Sequence, residues 1–335
     1  MHSGKYTEGR AEGAGDATPA RAGAEGADAA DRASLAHRAQ YHLLRGTVAA
    51  LGLLRWERAG RLGAAIGALG YRPLGIRRGT VERQIAAALP ELDAAAVRRT
   101  ARAAYAHLGR TAIETALLAS LGPSQVLDLF EGADGWEHVE RARALGKGII
   151  FVTGHHGNWE LGGAYTAARG VPLDVIVRRM ANPLFDRYLT RTRERLGLRV
   201  VHDADAVRIA PRSFRANRGV AFVADQGVRG LASTFVPFFG RPAKTPRGPA
   251  VLALRLGVPV IFAVATRQPS GRYRLFFEPV AVEETGDRER DVDAIVLRYT
   301  EMLERYVRRY PEQYFWHHRR WRRQPPGTPP ELSEP

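Results

Sequence analysis

A histidine and a glutamate lie five positions apart, at His155 and Glu160, directly after a short apolar run that ends in Thr153-Gly154. Such a run is typical of a buried strand, and a turn of small residues at a strand end is a common place for catalytic groups. The imidazole is a base, and the carboxylate is a group that could orient it. These are two of the three parts of a hydrolase triad, but the third is missing because no serine or cysteine nucleophile lies beside them. This pair suits a reaction in which the substrate brings its own hydroxyl.

The spacing decides which of two adjacent histidines pairs with the carboxylate, because the fifth position after His156 is Leu161. If a helix begins near Gly157, the Glu160 carboxylate can fold back and hold the Nδ1–H of His155, which leaves Nε2 free to take a proton. A purely structural interpretation is equally consistent with the spacing, since a helix N-terminus also favours an acidic first-turn residue.

The same turn contains residues that could contact a substrate or bind a metal ion. Gly157 would let a substrate approach the backbone closely, with Asn158 and Trp159 as supporting groups. A zinc site built from His155, His156 and Glu160 is a weaker alternative, because no further ligand cluster follows and the chain has no cysteine.

The motif GHHGNWEL at 154–161 resembles the H-x4-D/E motif of the lysophospholipid acyltransferase superfamily. It is most similar to the bacterial lipid A biosynthesis acyltransferases that transfer lauroyl and myristoyl chains. Four further blocks resemble that family in the same order, and together they cover roughly residues 40 to 323. These blocks are Val177–Asp186, Val223–Gly227, Phe235–Pro246 and Tyr310–Trp321.

The resemblance implies a glycerol-3-phosphate acyltransferase-like α/β fold and an O-acyltransferase with His155 as general base and Glu160 as the group that orients it. The acyl donor would be an acyl carrier protein or acyl-CoA, and the acceptor would be a hydroxyl of a lipid A precursor or another membrane glycolipid. No metal and no cofactor beyond the acyl thioester is expected. A hydrolase on the same scaffold and a non-enzymatic basic binding protein for lipid or nucleic acid stay open as alternatives.

The same blocks supply the candidate substrate-binding residues. Arg178 follows a strand and could clamp a phosphate or carboxylate, or it could be a solvated strand-end charge. Asp225 could orient an arginine or cap a turn. Phe238 and Phe239 could line an acyl-chain groove or belong to the core. The remaining candidates are Asn158, Gln226, Gly240, Lys244 and Thr245.

The charge of the chain favours an acidic partner, because 50 basic and 35 acidic side chains give a formal net charge of +15 over 335 residues. Anionic lipid headgroups and an acidic carrier protein both fit this charge. Nucleic acid fits the charge as well, but no nucleic-acid-binding motif is present, so it is not expected as a partner. The lack of cysteine excludes disulfides and thiol chemistry.

The composition divides the chain into three parts. Residues 1–36 are poor in large apolar side chains and are expected to be disordered, as is the proline-rich tail at 324–335. Between them, 37–323 is predicted to be the acyltransferase domain, with a helical part at 37–130 and an α/β part at 145–323.

No segment is expected to span a membrane, since the longest uncharged apolar runs have about ten residues and a span needs about 20. The Arg- and Leu-rich stretch at 40–70 is either an interfacial anchor or an amphipathic helix packed on the domain. The family resemblance implies a location at the cytoplasmic face of the inner membrane, and the lack of a spanning run implies attachment that is peripheral or by an interfacial anchor.

Strands and helices alternate in the second half of the chain, which predicts a mainly parallel central sheet flanked by helices, with a helical segment before it. The predicted strands are 148–153, 173–178, 199–202, 220–224, 258–265 and 272–278. The predicted helices are 80–88, 93–119, 158–168, 183–196, 205–217, 247–256 and 291–309.

Overall fold

The computed structural model of the protein describes residues 33–227 and 230–335, and all but the last four residues of the predicted tail at 1–36 lie outside this range. The helices are α1 (Leu35–Gly52), α2 (Trp56–Tyr71), α3 (Arg78–Ala88), α4 (Ala94–Leu117), α5 (Pro123–Asp128), α6 (Trp136–Ala144), α7 (Trp159–Ala168), α8 (Pro183–Arg195), α9 (Ala206–Arg215), α10 (Gly248–Leu256) and α11 (Arg288–Arg309). The strands are β1 (Phe130–Asp134), β2 (Ile149–Thr153), β3 (Leu173–Val177), β4 (Leu198–His202), β5 (Gly219–Val223), β6 (Ser233–Phe238), β7 (Arg241–Pro246), β8 (Val260–Arg267) and β9 (Tyr273–Val280).

Seven strands form the central sheet in the order β1-β9-β8-β2-β5-β3-β4. The five strands from β8 to β4 are parallel to one another, whereas β9 runs antiparallel to β8 and carries β1 parallel to itself. The prediction of a mainly parallel sheet with flanking helices is confirmed. β2 lies in the middle of the sheet, which explains why its sequence is a continuous apolar run rather than an alternating one.

Helices cover both faces of this sheet, and each face has its own apolar core. The first core joins the sheet to α7 and includes Phe151, Leu161 and Leu275. The second joins the opposite face to α3, α4, α9, α10 and α11 and includes Val152 and Phe262. Val152 and Phe151 are neighbours on β2, so strand alternation directs them to opposite cores.

The predicted N-terminal helical segment is confirmed as α1 to α4. The stretch at 40–70 forms two helices, which Leu53 to Arg55 separate. α2 and α4 approach each other closely because Gly63, Gly67 and Gly109 lie at their crossing, where an added Cβ would overlap the facing backbone. In the part of the chain that the structure describes, no helix is both long and apolar enough to cross a membrane.

Two segments differ from the sequence prediction. The loop expected near 225–246 contains the antiparallel hairpin β6–β7, whose two-residue turn places Phe239 and Gly240 at positive φ. The proline-rich segment 324–335 packs against the domain instead of forming a disordered tail. Arg319 forms an ion pair with Glu334 there, and the guanidinium of Arg241 donates to the Ser333 carbonyl at 2.8 Å.

Candidate active site

The sheet brings His155 and Asp225 together, because β2 and β5 are adjacent parallel strands and Thr153 pairs in register with Val223. Each strand ends there, and the residue two positions further on is His155 on one side and Asp225 on the other. Nδ1 of His155 lies 2.6 Å from Oδ1 of Asp225, and the His155 backbone N–H donates to Oδ2 at 3.0 Å. The side-chain amide of Gln226 lies 3.1 Å from the same Nδ1. Asp225 therefore fixes both the backbone and the ring of His155.

The electrostatics of this pair favour a charged imidazole. Burial lowers the pKa of His155, but the facing Asp225 carboxylate raises it more, Glu160 adds a smaller upward contribution, and the net shift is upward. Burial raises the pKa of Asp225, but His155 and the nearby Arg320 outweigh this effect and hold that pKa at about 2. Asp225 is thus ionised at neutral pH, and a proton taken up by His155 is stabilised.

Glu160 does not hold the imidazole, which corrects the expectation from the five-residue spacing. It lies in the first turn of α7 and faces α8, where Arg193 donates two hydrogen bonds to its carboxylate, at 3.0 and 2.6 Å. Both side chains are largely buried, with exposed fractions of 16% for Arg193 and 15% for Glu160. A bidentate partner neutralises the Glu160 charge locally, so its effect on His155 acts through space only.

The turn between β2 and α7 is held by backbone hydrogen bonds from two other parts of the chain. The amides of Gly157 and Asn158 donate to the carbonyls of Gln313 and Ala265, at 2.9 and 3.0 Å. Gly157 has a φ of +61°, and an added Cβ would overlap the Ala265 carbonyl oxygen. Glycine is therefore required at this position by the fold itself, rather than only by close approach of a substrate.

His156 points away from His155 and lies in the protein interior. Its Nε2 is 3.2 Å from the Tyr310 carbonyl oxygen, and burial lowers its pKa to about 3, so the ring is neutral. The side chains of His155, His156 and Glu160 each have different partners and do not converge, which rules out the zinc site proposed for these three. Among the described residues, no group of three or more His, Cys, Asp or Glu side chains could hold a metal ion.

Asn158 supports the turn and is not among the residues that line the cavity next to His155. Its Oδ1 accepts from the Leu161 amide at 3.1 Å as the N-cap of α7, and its Nδ2 donates to Glu114 at 3.3 Å. Glu114 lies in the last turn of α4 and also accepts hydrogen bonds from Arg267 and Tyr273. This buried network ties the N-terminal helices to the turn that carries His155.

A cavity of about 500 Å³ extends from His155 between α7 and the sheet. Its polar side chains lie beyond the carboxyl ends of the strands and include His155, Glu160, Arg178, Arg193 and Gln226. Its deeper lining is apolar and includes Gly162, Gly163, Ala221, Ala263 and Ala265 among larger residues such as Leu198 and Leu275. This apolar lining suits an apolar chain better than a polar group.

The other predicted substrate-binding residues lie outside this cavity. Strand alternation in β6 turns Phe238 inward, where it packs against Tyr314 and Trp321, and Phe239 packs against Trp316. Both phenylalanines belong to the core, so they do not form the predicted groove.

The remaining three residues of that block also have structural contacts. Gly240 forms the hairpin turn, whereas the Lys244 carbonyl and the Thr245 hydroxyl accept hydrogen bonds from Arg320, each at 2.6 Å. These contacts hold the hairpin against the C-terminal segment.

The family to which the chain belongs is decided by comparison with known sequences. The model of the bacterial lipid A biosynthesis acyltransferase family matches residues 32–323, which is most of the chain. The chain belongs to this family. It is accordingly an acyltransferase, and the resemblance inferred from the five sequence blocks is confirmed.

Curated relatives of this acyltransferase agree with the family match. The lipid A biosynthesis lauroyltransferase of Escherichia coli (strain K12) is 27% identical over 271 residues, 80% of this chain and 87% of the relative. The palmitoleoyltransferase of lipid A biosynthesis from the same organism is 27% identical over 79% of this chain and 85% of its own length. A phosphatidylinositol mannoside acyltransferase of Mycobacterium tuberculosis (strain H37Rv) is 29% identical over 38% of this chain and 41% of its own length.

Sequence reasoning about this acyltransferase missed three features of the site. It did not identify Arg193 or Glu114, which lie 33 and 44 residues from their partners Glu160 and Asn158, with no local signal. It also expected Asp225 to orient an arginine rather than His155. A signal for that last pair was available, because His155 and Asp225 follow predicted strands by two positions and one position, and parallel strands present their carboxyl ends at one edge.

Proposed function

We propose that this acyltransferase moves a fatty acyl chain from an acyl thioester to a hydroxyl of a lipid A precursor or a related membrane glycolipid, with His155 as general base. The donor would be an acyl carrier protein or acyl-CoA, and no other cofactor takes part. The observation that carries the proposal is the carboxylate-bound His155 at the polar end of an apolar cavity.

The chemistry follows from the free ring nitrogen. Asp225 accepts from Nδ1, so the neutral imidazole presents the Nε2 lone pair to a hydroxyl of the acceptor. As the hydroxyl oxygen attacks the thioester carbonyl carbon, its proton moves to Nε2 and a C–O bond forms. The tetrahedral intermediate then collapses, the C–S bond breaks, and the leaving thiolate takes the proton from the imidazolium. No covalent enzyme intermediate is needed.

In this mechanism Asp225 is the orienting carboxylate, and Glu160 has a different task. The Asp225 charge stabilises the imidazolium that forms in the transition state. The Glu160–Arg193 pair lies in the same cavity, where its fixed charges position the acceptor, and the Glu160 carboxylate makes a small upward contribution to the pKa of His155. Glu160 therefore supports the base through space, as the second carboxylate of the site.

The acyl chain is proposed to occupy the apolar part of the cavity, under α7. A fatty acyl tail needs a slot without charged groups, and the deeper lining of the cavity is mainly apolar. The thioester carbonyl would then lie beside His155, where the cavity becomes polar.

Arg178 is proposed to bind a phosphate of the acceptor. It lies directly after β3, is exposed and lines the polar part of the cavity. A guanidinium presents two parallel N–H donors that match phosphate oxygens. Together with the net charge of +15, this arginine suits an enzyme that works at the anionic cytoplasmic face of the inner membrane.

The test is a transfer assay with labelled acyl-carrier protein or acyl-CoA and a glycolipid extract, read by mass spectrometry. We expect an acylated lipid with the wild type and with His138→Ala, whose histidine lies on α6 outside the cavity. His155→Ala should lose about 10²- to 10⁴-fold in rate, the usual contribution of a general base. Transfer by a folded His155→Ala protein at the wild-type rate would rule out this mechanism. Free fatty acid formed equally well without any acceptor would instead favour a hydrolase.

A further inference from the structure

A second cavity, of about 530 Å³, lies between α1 and α8. Four arginines line it, Arg45 on α1 and Arg187, Arg191 and Arg195 on α8, together with Tyr41 and Tyr188. We call it the arginine groove. It shares no lining residue with the cavity at His155, because α8 turns Arg193 to that cavity and the other three arginines to the groove.

Three of the four arginines of the groove have no ion-pair partner within the described part of the chain. Arg187, Arg191 and Arg195 follow one another at intervals of four, so they lie on one face of α8, where like charges repel. No acidic side chain lines the groove, and Arg45, Arg191 and Arg195 form no ion pair with any described residue. A helix that keeps this spacing is stabilised by an anion between the arginines.

The groove is preformed rather than dependent on a ligand. The Asn182 side chain, which is almost fully buried, donates to the His37 carbonyl at 3.1 Å and to the Gln40 side chain at 3.0 Å. These bonds join α1 to the beginning of α8. The Tyr188 hydroxyl donates to the Ala116 carbonyl at 2.9 Å, and the Arg45 guanidinium lies 5.9 Å from the centre of the Tyr188 ring.

Exposed apolar side chains are concentrated in the N-terminal helices, one of which forms a wall of the groove. Of the fifteen exposed large hydrophobic side chains among the described residues, nine lie between Leu35 and Ile76. Leu43 and Leu53 of this set are 73% and 89% exposed, on α1 and directly after it. Arginines in a region that is rich in exposed leucines match a lipid, which has both a phosphate and acyl chains, better than a water-soluble phosphate compound.

We propose that the arginine groove binds the phosphate group of an anionic membrane phospholipid. Planar guanidiniums from two helices would hold the phosphate oxygens, and the exposed leucines would enter the acyl region beside it. The inference rests on the proposed membrane location, but lipid binding is measured without an acyl donor. Its failure and the failure of acyl transfer are therefore distinguishable.

The experiment is co-sedimentation of the full-length protein with vesicles of phosphatidylcholine alone or mixed equally with phosphatidylglycerol. We expect binding to the mixed vesicles, which the double variant Arg191→Ala/Arg195→Ala weakens roughly tenfold or more, since each basic residue near an anionic surface contributes to binding. The matched control is Arg98→Ala/Arg102→Ala, an exposed pair with the same spacing on α4 and the same loss of charge, which should weaken binding about twofold or less.

Three results would overturn the proposal. Equal weakening by both double variants would show attraction by net charge alone. If soluble glycerol phosphate raised the unfolding temperature of the protein as much as the lipid vesicles do, the groove would be a site for free phosphates. Loss of acyl-carrier-protein binding with unchanged vesicle binding would make the groove a protein-docking site. Should the double variant fail to fold, Arg45→Ala on the opposite wall is expected to weaken vesicle binding in the same assay.

Discussion

The Asp225 carboxylate determines how His155 titrates. Its charge and its hydrogen bond raise the pKa of His155 above the ordinary value of about 6.5, despite burial. A general base acts in its neutral form, so the rate should fall as the pH drops through this raised pKa. Asp225→Asn removes the charge, and the acid limb of kcat/KM against pH should therefore move to lower pH. The maximum rate should also fall, because the imidazolium loses its stabilising partner.

Glu160→Gln is the matched comparison for Asp225→Asn, because it also replaces a carboxylate near His155 by an amide. Its carboxylate contributes less than Asp225 to the pKa of His155, so the acid limb should move to lower pH by a smaller amount. Profiles of kcat/KM against pH for the three proteins, with a soluble thioester donor, measure both shifts. If Glu160→Gln shifts the acid limb more than Asp225→Asn, Glu160 is the group that controls the base.

The sequence identified the catalytic candidate His155 but not the residues that contact the site from distant parts of the chain. His155 was identifiable because its type, its strand and its spacing to Glu160 are all local in the chain. Its partner was not identified, since the Asp225 contact depends on the register of β2 and β5 across 70 residues. The same holds for Arg193, whose contact with Glu160 depends on how α7 and α8 pack.

At the scale of elements, the turn between β2 and α7 positions the base, and Gly157 is its least replaceable residue. Gly157→Ala should strain a positive φ and also push the turn away from the Ala265 carbonyl, which displaces His155. Gly170→Ala is the control, because its φ of +85° is strained similarly but nothing lies within 4 Å of the added Cβ. We expect both variants to lose about 1–2 kcal/mol from backbone strain. Only Gly157→Ala should lose further stability and most of its activity.

Thermal unfolding and the transfer assay measure the two effects separately. Equal activity of the two glycine variants would mean that the turn tolerates displacement and that Asp225 alone positions the ring.

The helices and strands themselves were largely predictable, since each parallel strand and its helix have a clear apolar pattern. The β6–β7 hairpin was not, because Pro237, Pro242 and Pro246 argue against strands, and they are tolerated here only because the pair stands outside the main sheet.

At the scale of the whole molecule, the boundary between a helical part and an α/β part is visible in the sequence, but buried hydrogen bonds cross it. Glu114 of α4 is almost completely buried, and its carboxylate accepts from Arg267 and Tyr273 of the sheet and from Asn158 of the site turn. The sequence did not reveal this link, because the partners of Glu114 lie 44, 153 and 159 residues away along the chain.

The last prediction follows from that link. Glu114→Ala leaves the Arg267 charge buried and unpaired, and breaking a buried pair from one side costs about 3–5 kcal/mol. Glu283→Ala, which removes an exposed partner of Arg298, should cost less than about 1 kcal/mol. Urea unfolding, followed by circular dichroism for the helices and by tryptophan fluorescence for the whole chain, should show one coincident transition, at lower urea for Glu114→Ala. Two separate transitions in the wild type would mean that α1 to α4 fold independently, and the Asn158–Glu114 bond would then not connect the stability of the helices to the geometry of His155.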